Sequence, residues 1–370
     1  MILKLLSIAN FKNYHNLQIE FSNNINCLLG DNGIGKTNLL DSIYYLAFCR
    51  SYFNVSDIDN IHYGDDFFMI RGDFENENQK NIKIHCSLKN KQKIFKLNDK
   101  KYNRLSEHIG TIPLVIITPL DSNLILGGAE IRRKFFDILI SQIDSNYLHN
   151  LVSYNKLIKQ RNSLLKQFDS IPDSLDVLIT YDNALSNLGY SIFLKRKEVI
   201  DLIIKNIQSY YSIISDNMEL IDIQYSSQLS ESSFKDLLIK NRQKDQILKY
   251  TSVGVHRDDF IFTLNSHNIK NSGSQGQQKS FIISLKFAYF DLLKSTLCMN
   301  PILLLDDIFD KLDNNRLEKI IRILNKNIFG QIFITDTNFN RIDSVMQKVN
   351  SSCKYFIFNK LGKYEEKFKK

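Results

Sequence analysis

Proline is scarce in this 370-residue chain, with four residues in all, which excludes a proline-rich linker or spacer protein. Paired cysteine is missing too. Cys27, Cys49, Cys86, Cys298 and Cys353 are odd in number and scattered, with no C-x-x-C pair. Neither a disulfide framework nor a zinc site is expected, and a reducing, cytoplasmic interior is the natural compartment. No apolar run approaches the roughly 18 to 20 residues that a membrane span needs. The opening MILKLLSIANF is broken by Lys4 and followed by no small-residue cleavage site, so it is expected to form a strand and not a signal peptide. Internal repeats and low-complexity tracts are absent, and the seven histidines and seventeen tyrosines form no cluster suggesting a metal site or a base-stacking platform. Acidic residues are in deficit: 48 Lys and Arg face 40 Asp and Glu, a net charge of +8. That balance favours a polyanionic partner, either nucleic acid or an anionic membrane surface.

What is present reads as a soluble globular chain, 43% hydrophobic and 24% charged, too long for one ordinary domain. The first hundred residues have strand texture. Ile2–Phe11 and Leu17–Phe21 suggest a hairpin around Lys12–Asn16, Ile25–Leu29 a buried strand, and Phe67–Phe74, Ile82–Leu88 and Ile94–Leu97 further strands. Lys80, Lys83, Lys89, Lys91, Lys93, Lys96, Lys100 and Lys101 make the later part basic, either a solvated sheet face or a phosphate-contacting surface. After another buried strand at Leu114–Ile117, apolar residues fall at helical spacing from Glu130 to about Tyr211, without a heptad repeat long enough for an extended coiled coil. Strand texture returns at Met218–Tyr225, and a helix is expected at Ser232–Asn241. Ser252–Leu264 reads as extended, Gln275–Lys294 as a helix and Ile302–Leu305 as a strand. The remainder alternates: a helix near Asn314–Asn325, a strand at Gln331–Thr335, a helix after Asn340 and a last strand at Lys354–Phe358. This alternation argues for an α/β class.

Three segments carry chemistry. Gly30-Asp31-Asn32-Gly33-Ile34-Gly35-Lys36-Thr37 fits G-x-x-x-x-G-K-[ST] between an apolar strand and a helical pattern. Its glycines let consecutive N–H groups wrap a phosphate and the helix N-terminus faces the same anion, while Lys36 reaches the β- and γ-phosphates and Thr37 ligates magnesium. Pro301-Ile302-Leu303-Leu304-Leu305-Asp306-Asp307 is a buried strand ending in two acids. Such a strand places Asp306 beside the metal and Asp307 where it polarises the attacking water. Lys36 and Asp307 are thus the catalytic candidates. Ser274-Gln275-Gly276-Gln277-Gln278-Lys279 opens a helix one element upstream of that strand, with Ser274 a plausible N-cap. Alone, it is only a polar helix start.

Together these segments resemble the RecF family of bacterial recombination mediators, relatives of SMC heads and ABC ATPases. The resemblance spans nearly the whole chain. It rests on Leu3 and Ile8-Ala9-Asn10-Phe11-Lys12-Asn13-Tyr14, the loop GDNGIGKTNLLDSIYYL, and Glu130-Ile131-Arg132-Arg133-Lys134-Phe135-Phe136-Asp137. It continues with Ser141-Gln142-Ile143-Asp144, Gly254-Val255-His256-Arg257-Asp258-Asp259, SQGQQK and LLLDD. The long interval between Lys36 and Asp306 requires an insertion, here a short helical arm where SMC proteins carry a long coiled coil.

The resemblance implies an α/β fold: an ABC/SMC-type P-loop ATPase head with a strand-rich N-terminal lobe and an inserted helical arm. The head would comprise 1–118 and 250–370, and the arm 119–249. It implies binding of ATP and Mg2+, with Gly30 to Thr37 holding nucleotide and Thr37 and Asp306 the metal. Ser274 and Gly276 would reach the γ-phosphate bound by a second copy in an ATP-dependent homodimer. Asp310-Lys311-Leu312-Asp313 would lie near that seam. Thr335-Asp336-Thr337 stands where ABC enzymes carry a switch histidine, which implies slow hydrolysis. Implied partners are single-stranded, gapped or junction DNA, together with RecR and RecO and, through them, RecA and the SOS response. Arg132, Arg133 and Lys134 would be among the phosphate contacts. Val255 replaces a proline common in the family, and Phe53 replaces a basic residue in the loop after Arg50-Ser51. Two other readings stay open: a different SMC/ABC-like repair ATPase head, and a non-hydrolysing nucleotide-gated scaffold.

Overall fold

The computed structural model describes residues 1–215, 219–309, 314–324, 329–348 and 352–369. Met218, Asn325 and the Asp310–Asp313 segment lie outside the described residues. Two compact units are present. Met1–Asp121, Ile213–Asp216 and Ile282–Lys370 form the first, and Ser122–Ser212 with Asn217–Phe281 the second. In chain order the first stretch contributes β1 (Ile2–Phe11), β2 (Tyr14–Glu20), β3 (Ile25–Leu29), α1 (Lys36–Phe48), β4 (Phe67–Glu75), β5 (Asn81–Lys89), β6 (Gln92–Leu97), β7 (Lys100–Lys101) and β8 (Leu114–Ile117). Next come α2 (Asn123–Leu126), α3 (Ala129–Ile143), α4 (Ser145–Lys166), α5 (Ser174–Ser215), β9 (Ile221–Ser226), α6 (Phe234–Lys240), α7 (Arg242–Leu248), β10 (Asp259–Leu264), β11 (His267–Asn268) and α8 (Ile269–Ser272). The chain ends with α9 (Gln275–Leu297), β12 (Ile302–Asp306), α10 (Asn314–Leu324), β13 (Ile332–Asp336), α11 (Phe339–Met346), β14 (Cys353–Lys360) and β15 (Lys363–Lys369).

In the first unit, β2-β1-β4-β5-β6-β7 form an antiparallel sheet, and β15-β14-β3-β13-β12-β8 form a second sheet whose inner strands are parallel. Strands INCLL, ILLLD and IFITD of β3, β12 and β13 are buried at every position. Burial on both faces is what a covered parallel sheet demands, and it explains their unbroken apolar runs. Register aligns Asp306 with Thr335 and Asp336 with Leu29, so the C-terminal ends of β3, β12 and β13 come out at one edge. The β1–β2 turn is tighter than its polar residues suggested: β2 begins at Tyr14, with Lys12 in the left-handed region at φ 52°. Strand β15 was not anticipated. Its sequence KYEEKFK lacks a clean apolar alternation because it is an edge strand, mostly exposed, paired only with β14.

The second unit is more than helices. α3, α4 and the 42-residue α5 accompany a three-stranded sheet ordered β11-β10-β9. At 1.5 Å per residue α5 extends about 63 Å, longer than the texture of its sequence indicated. Ser252–Leu264 is extended only from Asp259. Gly254 has φ 118°, and Val255–Arg257 form a 3-10 turn before β10 begins. A side chain at Gly189 or at Gly254 would run into the ring of Phe234. Those two glycines therefore make room for one buried aromatic.

Candidate functional site

The segment Gly30 to Thr37 follows β3 and opens α1, as its sequence indicated. Gly30, Gly33 and Gly35 have φ of 146°, 81° and 104°, values that favour glycine. A Cβ on Gly30 would meet the Phe358 carbonyl oxygen at 2.6 Å, and one on Gly35 would meet Asn13 Nδ2 and the Tyr14 hydroxyl at 2.8 Å. At Gly33 a Cβ would meet nothing, so the loop is concave backbone with open space at its middle. Asp31, Asn32 and Gly33 are exposed, Ile34 is half-buried, and Gly35 is buried. No side chain caps the N-terminus of α1, and no acidic residue occupies its first turn. The helix end and the turned-in amides are thus left for an anion.

Lys36 is buried, and its Nζ donates to the carbonyls of Gly30 at 2.6 Å and Asp31 at 2.9 Å. Burial lowers its pKa, an effect countered by the charges of Asp307, Asp306 and Asp336. The ammonium therefore arches back across the loop. Thr37 Oγ1 donates to Asp306 Oδ1 at 2.9 Å, and Thr335 Oγ1 donates to the same oxygen at 2.8 Å. Burial raises the Asp306 carboxyl, against the lowering effect of these two hydroxyls. Asp307 follows β12 in the left-handed region at φ 46°, its N–H donating to Thr335 Oγ1 at 2.9 Å. Thr37 and Asp306 supply hard oxygen donors at one point, the set a magnesium ion prefers.

Sequence reading named Thr335 and Asp336 only by position; here each has a partner. Thr335 holds the Asp306 carboxylate and the backbone N–H of Asp307, while Asp336 is fully buried and receives two N–H groups of Arg341 at 2.7 and 3.1 Å. The available signal was two polar residues ending an otherwise apolar strand. Asp41 was missed altogether. Buried on α1, it takes the Lys12 ammonium at 2.6 Å, the Ser51 hydroxyl at 2.6 Å and the Tyr52 N–H at 2.7 Å. Lys12 also lies 5.2 Å from the centre of the Phe53 ring. Beside the loop an open cavity is lined by Lys12, Asn13, Thr37, Asn38, Phe53 and His62, among others.

Ser274 and Gly276 lie in the second unit, at the start of α9. Ser274 is exposed, its hydroxyl accepting the Gln277 N–H at 3.2 Å while Gln277 Oε1 accepts the Ser274 N–H at 2.6 Å. This reciprocal pair is a capping box. Other expectations need correction. Arg132 forms a two-pronged pair with Asp259 at 2.8 and 2.9 Å, and Arg133 donates to the Asp258 carbonyl at 2.6 Å. Both guanidinium groups have internal partners that compete with DNA phosphates. Lys93 likewise faces inward, with Asp57 at 2.6 Å and the Cys49 carbonyl at 2.8 Å. His256 bonds the Tyr154 hydroxyl at 2.8 Å and the Thr251 carbonyl at 3.1 Å, and burial pushes its pKa down to about 4. These contacts hold it within the second unit. The histidines do gather once: His15, His62 and Asp65 come together in the first unit.

A family model described as RecF/RecN/SMC N terminal domain matches residues 2–354. The DNA replication and repair protein RecF of Phocaeicola vulgatus is 45% identical over 358 residues, 96% of each chain. That of Flavobacterium johnsoniae is 47% identical over 359 residues, 96% of this chain and 99% of the relative. The chain belongs to the RecF family. Among solved structures, the recombination mediator protein RecF-ATP of the RecFOR pathway matches with a TM-score of 0.88 at 30% identity, covering 99% of this chain and 97% of that one. The Smc head of Pyrococcus furiosus matches at a TM-score of 0.58 and 15% identity, covering 99% and 96%, a likeness of fold alone. The fold is the ABC/SMC-type head, and the RecF assignment agrees with the resemblance drawn from the motifs.

Proposed function

We propose that this RecF-family chain is an ATP-dependent DNA-binding switch of recombinational repair. One observation carries the reading: Thr37 and Asp306 meet at 2.9 Å beside the glycine-rich loop, so the phosphate cradle and the acid strand converge on one point. The amides of residues 30–37 and the α1 N-terminus bind the β- and γ-phosphates, and Lys36 swings from the Gly30 and Asp31 carbonyls to the phosphate oxygens. Thr37 and Asp306 hold Mg2+, which supplies charge neutralisation on those oxygens. Asp307, fixed through Thr335, orients the water whose oxygen bonds to the γ-phosphorus as the bond to the ADP oxygen breaks, and accepts its proton. Ser274 and Gly276 complete the site of a second copy. ATP thereby favours a homodimer and hydrolysis releases it, since a ligand shifts an association only through differential contacts.

The head is read as 1–118 and 250–370 and the inserted arm as 119–249. Supporting DNA engagement are the +8 charge and the exposed Lys80, Lys83, Lys89, Lys91, Lys100 and Lys101, suited to backbone contacts without base readout. Single-stranded or gapped DNA is the expected ligand, with RecO and RecR as partners in loading RecA. Weak, DNA-stimulated turnover in the cytoplasm and a link to the SOS response follow from this role. Among the described residues no helix is long and apolar enough to cross a membrane.

The test is sedimentation in ATP and in ADP, with and without gapped DNA, alongside Lys36→Ala as the nucleotide-blind control. Dimers in ATP alone, absent in Lys36→Ala, support the reading. A chain that stays monomeric at saturating MgATP with DNA refutes it, and dimers without turnover would make it a scaffold.

A further inference from the structure

Away from the phosphate loop, a second group of donor atoms converges. His15 lies at the start of β2, and His62 and Asp65 lie in the turn that leads into β4. The backbone holds this turn against the β1–β2 hairpin. Phe11 bridges Ile61, the His62 N–H donates to the Asn10 carbonyl at 2.8 Å, and the Lys12 N–H donates to the Asn60 carbonyl at 2.8 Å. A further bond, from the Asp65 N–H to the His62 carbonyl at 3.0 Å, closes the turn over Gly64, whose φ is 91°. These backbone contacts bring the two histidines together although they are far apart in sequence.

Nδ1 of His62 lies 3.2 Å from Asp65 Oδ2, and Nδ1 of His15 lies 3.6 Å from the same oxygen. One donor atom from each of the three residues lies within 4.8 Å of the others. Both His62 Nδ1 and Asp65 Oδ2 are shielded from solvent and make no hydrogen bond. The two imidazole rings are 3.7 Å apart, inclined by 34°. A single divalent cation would satisfy both nitrogens and the oxygen together.

Distances favour that solution. Metal–ligand bonds of about 2.0 to 2.2 Å at tetrahedral angles set donor atoms roughly 3.3 to 3.6 Å apart; the contacts to Asp65 are 3.6 Å from His15, within that range, and 3.2 Å from His62, just below it. The remaining nitrogen–nitrogen edge closes by turning His15, whose side chain is 71% exposed.

We propose that His15, His62 and Asp65 form a site for a divalent transition-metal ion, with water completing the coordination. Two imidazoles and one carboxylate select borderline ions such as Zn2+, Co2+ or Ni2+ and not Mg2+ or Ca2+, which require oxygen cages. The site is separate from the Thr37–Asp306 pair. It ties the β1–β2 hairpin to the turn carrying His62, one of the residues lining the open cavity beside the loop. Its role is a staple on that wall.

The test uses the full chain without a polyhistidine tag, with Cys298→Ser as the parent because that thiol is exposed. Zn2+ is titrated by calorimetry and Co2+ by its visible absorption, each in excess Mg2+. One equivalent should bind with micromolar or tighter affinity, and Zn2+ should raise the melting temperature. His15→Ala, at an exposed position, and Asp65→Asn should each weaken binding by at least roughly tenfold and abolish the intense Co2+ bands, whereas Asp306→Asn should leave both unchanged. Absence of one-to-one binding tighter than about 100 μM, or a His15→Ala,His62→Ala variant that binds as the parent does, overturns the proposal.

Discussion

Thr37 Oγ1 donates to Asp306 Oδ1 at 2.9 Å, joining the first turn of α1 to the end of β12 across 269 positions of sequence. Thr335 adds a second hydroxyl donor to the same oxygen at 2.8 Å. The two side chains proposed to hold Mg2+ are therefore already together, with hydroxyl protons on the carboxylate oxygen where the cation would sit. Coordination has only to turn those hydroxyls, which keeps the reorganisation small.

The same pocket fixes a pH and stability consequence. Burial raises the Asp306 carboxyl from an ordinary value of 3.8. A carboxyl raised on folding holds its proton more tightly in the folded chain, so it subtracts stability as pH climbs from the unfolded value through the raised one, and the loss persists at neutral pH. Asp306→Asn keeps an oxygen that can accept from Thr37 and Thr335 but carries no charge. Thermal melts near neutral pH should show the metal-free variant at least as stable as the parent, with the added stabilisation by MgATP gone. A variant still stabilised by MgATP to the parent's extent would remove Asp306 from the metal site.

Asp307 offers a cleaner separation of chemistry from binding. Its φ of 46° is one that Asp and Asn tolerate better than other side chains, so Asp307→Asn should fold unchanged. Turnover should fall by about 10² to 10⁴, the usual range for a lost general base, with nucleotide affinity within a few-fold. Phosphate release and equilibrium nucleotide binding on the same preparation check both halves.

How much of this could be read in the sequence depended on whether neighbours in space were also neighbours in the chain. Gly30 to Thr37 is contiguous, and the strands β3, β12 and β13 are buried on both faces, so loop and strands were legible as a motif and as apolar runs. Asp41 was not, because its partners come from two other segments, Lys12 in the β1–β2 turn and Ser51-Tyr52 after α1. His15 and His62 were illegible for the same reason. Arg132 and Arg133 were read as phosphate contacts, and only the fold supplies Asp259 and the Asp258 carbonyl as their partners. Strand β15 was hidden because an exposed edge needs no apolar pattern.

Ser274 tests the dimer reading. Its hydroxyl is half of the capping box with Gln277, so replacement by a residue that cannot cap loses about 1 kcal/mol of helix capping. Ser274→Ala measures that loss alone. Ser274→Arg adds bulk and charge at an exposed helix start, and should abolish ATP-dependent dimers in sedimentation while nucleotide binding by the monomer persists. Normal dimers in Ser274→Arg would place α9 away from the seam.

His108 is the group we expect to add to acid sensitivity in the first unit. It is buried, with Nε2 at 2.6 Å from the Leu46 carbonyl and Nδ1 at 3.1 Å from the Tyr102 hydroxyl, and burial pushes its pKa down to about 4 from 6.5. The unfolded chain binds the proton first on acidification, so stability is full above pH 6.5 and is lost progressively as pH falls toward 4. One such group contributes a slope of up to about 1.4 kcal/mol per pH unit in that window. His108→Gln can still donate to Leu46 but cannot be protonated. Urea midpoints between pH 4.5 and 7.5 should fall less steeply for this variant, leaving His256 as the corresponding group in the second unit; an identical slope would remove His108 from the acid response.

Arg161 is a buried crosslink of the second unit. On α4 it is wholly buried, Nε donating to Asp182 at 2.8 Å and Nη1 to Asp245 at 2.8 Å and to the Thr251 hydroxyl at 2.9 Å. One guanidinium thus joins α4 to α5 and α7, with Arg242 adding a contact to Asp182 at 3.0 Å. Removing it leaves two buried carboxylates short of a cation, a change that costs about 3 to 5 kcal/mol. Arg161→Ala should accordingly raise hydrogen-exchange rates across α4 and α5 by roughly two to three and a half orders of magnitude, at about 1.4 kcal/mol per tenfold. Arg161→Lys keeps the charge but loses the fork that reaches both aspartates, and should fall between the two. Exchange in Arg161→Ala within a few-fold of the parent would mean that Arg242 and the neighbouring hydroxyls carry those carboxylates on their own.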